Sequence, residues 1–62
     1  MKVGQKYIHL FPDGQIASKR IITNLTDVSV FSQNLENPQQ SDSRESISKF
    51  NERVKKGYYK FN

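Results

Sequence analysis

The chain has no cysteine, no tryptophan and a single histidine among its 62 residues, with only two prolines and three glycines. Without cysteine there is no disulfide framework and no thiolate metal site, and His9 alone cannot build a structural zinc centre. No stretch approaches the ~20 apolar residues of a membrane span, and MKVGQKYIHLF has no apolar run behind its lysine of the kind that marks a secretory leader. These absences predict a soluble, unprocessed, cytoplasmic protein without cofactor, metal or membrane association. Length predicts one small domain over residues 1–62, since independent folding becomes marginal at this size.

Catalytic motifs are missing as well. There is no HExxH, GxxxxGK[ST], GxSxG or CxxC. A nucleophile needs an activating base and an orienting group, yet His9 falls on an expected strand and its nearest carboxylate in sequence is Asp13 in a turn. No catalytic residue is assigned, and the chain is not expected to be an enzyme.

What is present is compact in its distribution. Only 34% of residues are hydrophobic, but they are large, β-branched or aromatic and they cluster, which favours a folded domain of modest stability over a disordered chain. In KYIHLFPDGQIASKRII two β-rich runs flank Pro12-Asp13-Gly14, where Pro presets φ and Gly accepts the left-handed conformation: a β-hairpin. The first arm alternates, Ile8 and Leu10 against Tyr7, His9 and Phe11. The second loses strict alternation around Arg20 to Ile22, as a bulge would require. TNLTD reads as a turn and VSVFS as a third strand with Val28 and Val30 on one face.

Residues 33–43, QNLENPQQSDS, read as a polar surface loop interrupted by Pro38 and pinned by Leu35. A helix is expected from Asp42 or Ser43, because Asp42 and Glu45 have capping-box spacing, and Ile47, Phe50 and Val54 follow as a narrow apolar stripe. Arg53, Lys55 and Lys56 suit its last turn and Gly57 its C-terminal cap. YYKF then has strand chemistry, with Tyr58 and Lys60 facing one way and Tyr59 and Phe61 the other. The expected fold is α+β: a small three-stranded antiparallel meander, one C-terminal helix and a short final strand beside the first, with an SH3-like partly open barrel as one way of curling it.

Charge points to binding. Ten Lys and Arg against six Asp and Glu give +4, divided as +3 over residues 1–26, −3 over 27–48 and +4 over 49–62. Basic residues interleaved with aromatics provide phosphate neutralisation and base stacking, so Lys55, Lys56, Tyr58 and Lys60 are the candidate nucleic-acid-binding residues of a regulatory binding module. KGYYKF shares its first three positions with the RNP1 pattern, but Tyr59 and Lys60 then replace a small residue and an aromatic, so that family is not assigned. The rival reading is a protein-interaction module or inhibitor, an accessory protein with no nucleic-acid affinity. It would dock a larger protein, or a second copy as a homodimer, on an open sheet face or edge carrying Tyr7, Phe11, Phe31 and Tyr59.

Overall fold

The structure, a computed structural model, describes residues 1–37, 39 and 41–62. Strands β1 (Lys6–Leu10), β2 (Ile16–Leu25), β3 (Ser29–Asn34) and β4 (Ser43–Ser46) form an antiparallel meander, followed by helix α1 (Ile47–Lys56) and strand β5 (Tyr59–Phe61). They make one open sheet of order β4-β3-β2-β1-β5, all neighbours antiparallel. The expected α+β class and the return of the last strand to the first are present. The expected three-stranded meander has β4 as a fourth strand, and the sheet has free edges at β4 and β5 in place of SH3-like closure.

Pro12-Asp13-Gly14 turns the chain as expected: the Gly14 N–H donates to the Phe11 carbonyl at 2.9 Å, and Gly14 takes φ +90°. Two register shifts occur, one at His9/Leu10 opposite β2 and one between Ile22 and Asn24 opposite β3. The bulge thus falls at Thr23, just beyond the segment where alternation fails, and β2 runs on to Leu25 through residues expected to turn. The turn itself is Thr26 to Val28, closed by the Ser29 N–H donating to Thr26 Oγ1 at 2.9 Å. Val28 consequently precedes β3 and is exposed, whereas Val30 is buried.

The helix starts later than its capping-box spacing predicts. Residues 43–46 form β4, paired with β3 through Ser32↔Ser43 and Val30↔Glu45, and Ser46 is the N-cap, its Oγ accepting from the Lys49 N–H. Pairing to an available β3 edge outweighs the local helix signal. Asp42 instead accepts from the Thr23 hydroxyl at 2.8 Å. The other end is as expected: Gly57 has φ +86°, its N–H donates to Val54 O and the Tyr58 N–H to Arg53 O, a Schellman cap. Leu35 is exposed and is held through its backbone N–H to Lys19 O; Pro38, expected to interrupt pairing, lies outside the described residues.

Phe50 is the only helix residue fully buried, and it lies in an aromatic group with Tyr7 (5.1 Å between centroids, edge on) and Tyr59 (4.8 Å). Ile22 and Val30 complete the core, with Leu25, Ile47 and Val54 packed around it. The helix packs on β3, β4 and β5 and covers one sheet face only in part. Among the described residues no helix is long and apolar enough to cross a membrane.

Candidate functional site

Strand alternation sorts the sheet into two faces of different chemistry. Toward the helix point Tyr59 and Phe61 of β5, Tyr7 and His9 of β1, Arg20 and Ile22 of β2, Val30 and Ser32 of β3, and Ser43 and Glu45 of β4, as their cross-strand pairing requires. Among the described residues no element lies over the opposite face. Its rows are Lys60–Ile8–Lys19, Lys6–Ile21–Gln33 and Asn24–Phe31–Arg44. Lys6, Lys19, Arg44 and Lys60 are exposed around half-buried Ile8, Ile21 and Phe31. No carboxylate occupies these rows, and among the described residues none of the four cations is ion-paired. Strands lie ~4.8 Å apart, so the Lys60 and Lys19 backbones flank Ile8 across roughly 10 Å.

The sequence-derived candidates are divided between layers. Lys60 stands on the uncovered face, but Lys55 and Lys56 belong to the helix on the other side, where Lys56 pairs with Glu52 at 2.9 Å. That hydrogen bond, reinforced by charge, raises the Lys56 ammonium above its usual range and lowers the Glu52 carboxyl. Tyr58, just past the helix cap, is partly exposed. The four residues therefore do not form one patch, and Lys2, Lys6, Lys55, Lys56 and Lys60 do not share a side. Of the alternative set, Tyr7 and Tyr59 are 2% and 6% exposed beneath the helix and offer no surface to a partner. Phe31 is on the uncovered face and Phe11 is exposed at the hairpin end.

The helix-facing side has a polar sector beside Phe50. A pocket of about 190 Å³ is lined by His9, Arg20, Ser32, Ser43, Arg44, Glu45, Arg53 and Tyr59 together with the edge of the core. Arg20 lies across three strands: its Nε donates to Ser32 Oγ at 3.0 Å, and its Nη2 to Ser32 O at 3.2 Å and Ser43 Oγ at 2.9 Å. Arg53 reaches down from the helix to Glu45 Oε2 and to the Tyr59 hydroxyl (3.0 Å), which in turn donates to Glu45 Oε2 at 2.9 Å. Desolvation, opposed by the Arg53 hydrogen bond and reinforced by Glu45, pushes the Tyr59 phenol up to about 12, so it stays protonated at neutral pH. His9 meets Tyr59 edge on at 5.1 Å. Burial and then the positive charges of Arg53 and Arg20 lower its imidazole below the usual 6.5, with only Glu45 acting the other way. Among the described residues, no group of three or more His, Cys, Asp and Glu is placed to hold a metal.

Sequence reasoning missed Lys19 and Arg44 on one face and Arg20, Glu45, Ser32 and Ser43 on the other. One signal was available for Arg20: it shares the phase of core residue Ile22, so an arginine was aimed at the covered side. No family model matches the chain, nor does any curated protein or solved structure.

Proposed function

We propose that the protein is a small non-enzymatic binding module that recognises single-stranded nucleic acid through the uncovered sheet face. The observation supporting this is the set of four cations, Lys6, Lys19, Arg44 and Lys60, that form no ion pair among the described residues and surround Ile8, Ile21 and Phe31 with no carboxylate in the same rows. Cations neutralise phosphates, while Phe31 and the aliphatic side chains between them present apolar surface to unstacked bases. The face carries over Lys60 from the sequence reading and replaces Lys55, Lys56 and Tyr58 with residues that share one surface.

The rival protein-docking modes have less to support them. The edge strands are only four and three residues long and carry Arg44 and Lys60, features that blunt strand addition. Isologous pairing through this face would set its cations against their own copies. Titration with single-stranded oligonucleotides at two salt concentrations tests the proposal. With four phosphate contacts, a fourfold rise in salt should weaken binding about 50-fold, and Lys19→Glu with Lys60→Glu should roughly halve the logarithmic salt slope. Lys55→Glu with Lys56→Glu should leave that slope unchanged. Absence of binding at low salt, or equal sensitivity to both pairs of reversals, refutes it.

A further inference from the structure

We propose that the polar pocket and the groove beside it form a single site for a nucleotide, with Arg20 and Arg53 holding the phosphate and Phe11 and Tyr58 flanking the base. This site is on the helix side of the sheet; of the four cations assigned to the uncovered face, Arg44 also lines it, whereas Lys6, Lys19 and Lys60 do not.

The groove is lined by His9, Leu10, Phe11, Pro12, Arg53 and Tyr58 and holds about 270 Å³. It shares His9 and Arg53 with the polar pocket, so the two adjoin at those side chains. Neither volume alone reaches the ~300 Å³ at which small-molecule sites usually begin, but together they do. Their chemistries differ in the way that the two ends of a nucleotide differ. At the groove end, Phe11 is 51% exposed and Tyr58 36%, two aromatics that the core leaves to solvent. At the pocket end, Arg20, Arg44 and Arg53 line the cavity with one carboxylate, Glu45.

The hydrogen bonds within the pocket also leave specific atoms over. Arg20 uses Nε and Nη2 on Ser32 and Ser43, and Arg53 uses Nη1 on Glu45 and Tyr59. Among the described residues, Nη1 of Arg20 and Nη2 of Arg53 thus remain as donors, one from each guanidinium, so that a phosphate can be held between the two. The Glu45 charge is directed to Arg53 and Tyr59 through Oε2, while its buried Oε1 has no partner among the described residues. A sugar hydroxyl between phosphate and base can donate to Oε1. An acceptor for a hydroxyl, donors for an oxyanion and apolar rings for a base are the three parts of one ligand class.

His9 provides the readout, because it stands between the two halves and faces Tyr59 of β5, Arg20 of β2, Arg53 of α1 and Glu45 of β4. A phosphate placed against the arginines offsets the charges that lower the His9 imidazole, so its titration should move up on binding. The experiment is to follow the His9 ring resonances of the full chain while adding inorganic phosphate, adenosine or adenosine 5′-monophosphate, each to ~10 mM. The monophosphate should bind most tightly, with the base adding roughly tenfold or more over phosphate alone. Phosphate and monophosphate, but not adenosine, should raise the His9 pKa. Phe11→Ala, at an exposed position that leaves the fold intact, should remove the advantage of the monophosphate without changing the response to phosphate. Arg20→Gln should abolish both responses, and Lys19→Glu with Lys60→Glu should alter neither. A His9 ring that does not respond to phosphate or monophosphate overturns the assignment. So does a monophosphate that binds no better than phosphate, or one whose affinity survives both Phe11→Ala and Tyr58→Ala.

Discussion

Replacing Tyr59 by phenylalanine removes one hydroxyl and leaves the ring, with its contacts to Phe50 at 4.8 Å, Tyr7 at 5.0 Å and His9 at 5.1 Å, in place. The lost group accepts from Arg53 and donates to Glu45, and hydrogen bonds to charged partners contribute about 1.5–3 kcal/mol each. Arg53 is 45% exposed and can turn to water, so the lower end applies, about 1.5–2 kcal/mol for Tyr59→Phe. For a chain of this length total stability is only ~3–9 kcal/mol, and a urea m-value near ~1 kcal/mol per molar turns the loss into a midpoint shift of about 1.5–2 M. Glu45→Gln weakens both partners at once, so the double variant should cost less than the sum of the singles, with a coupling of about 1 kcal/mol. Urea unfolding of the four proteins, with unchanged m, measures this. If Tyr59→Phe lies within ~0.3 kcal/mol of the parent, or the cycle is additive within that margin, the Arg53–Tyr59–Glu45 group does not fasten helix to sheet.

The helix boundary is testable in the same way: Ser46→Ala should cost about 1 kcal/mol as the loss of an N-cap, while Asp42→Asn should leave helix content unchanged because Asp42 accepts from Thr23 and caps nothing. The Tyr59 phenol has its folded value raised from 10 to about 12, so its neutral form stabilises the fold below pH ~10 and that contribution is lost as pH rises through about 12. Phenolate absorbance against pH should show one tyrosine ionising late, and Tyr59→Phe should remove that step.

Local chemistry made the hairpin at Pro12-Asp13-Gly14 and the Schellman cap at Gly57 legible in the sequence, because each depends on residues within a few positions of one another, and the aromatic run YYKF marked a strand although its partner β1 lies at the other end of the chain. The errors arose where distant pairing decides. SRES follows Asp42, whose spacing to Glu45 is that of a capping box, and has no β-branched residue, yet it becomes a strand because the β3 edge has unpaired groups to offer. The candidate sites suffered from the same cause. A run such as KKGYYK looks like one surface in sequence, but a helix end and a strand on opposite sides of a sheet divide its cations, while Lys19 and Arg44 reach Lys60's face only through pairing across strands. Composition indicated a basic binding surface and could not say which lysines share it.

The late start of the helix links the two errors to the pocket. Had the helix begun at Asp42, Ser43 and Glu45 would have been part of its first turn, where a carboxylate favours the macrodipole and faces solvent. As strand residues they alternate inward instead, which places Ser43 beside the Arg20 guanidinium and Glu45 beneath Arg53 and Tyr59. The same change shortens the helix to ten residues, about 15 Å, and leaves Phe50 as its one fully buried side chain. A helix that short cannot cover five strands, so the sector containing His9, Arg20 and Ser32 stays open and polar. The pocket therefore follows from strand pairing at residues 43–46. A substitution that restores helix there, such as Arg44→Ala with Ser46→Leu, should fill or dissolve the pocket before it disturbs the aromatic core.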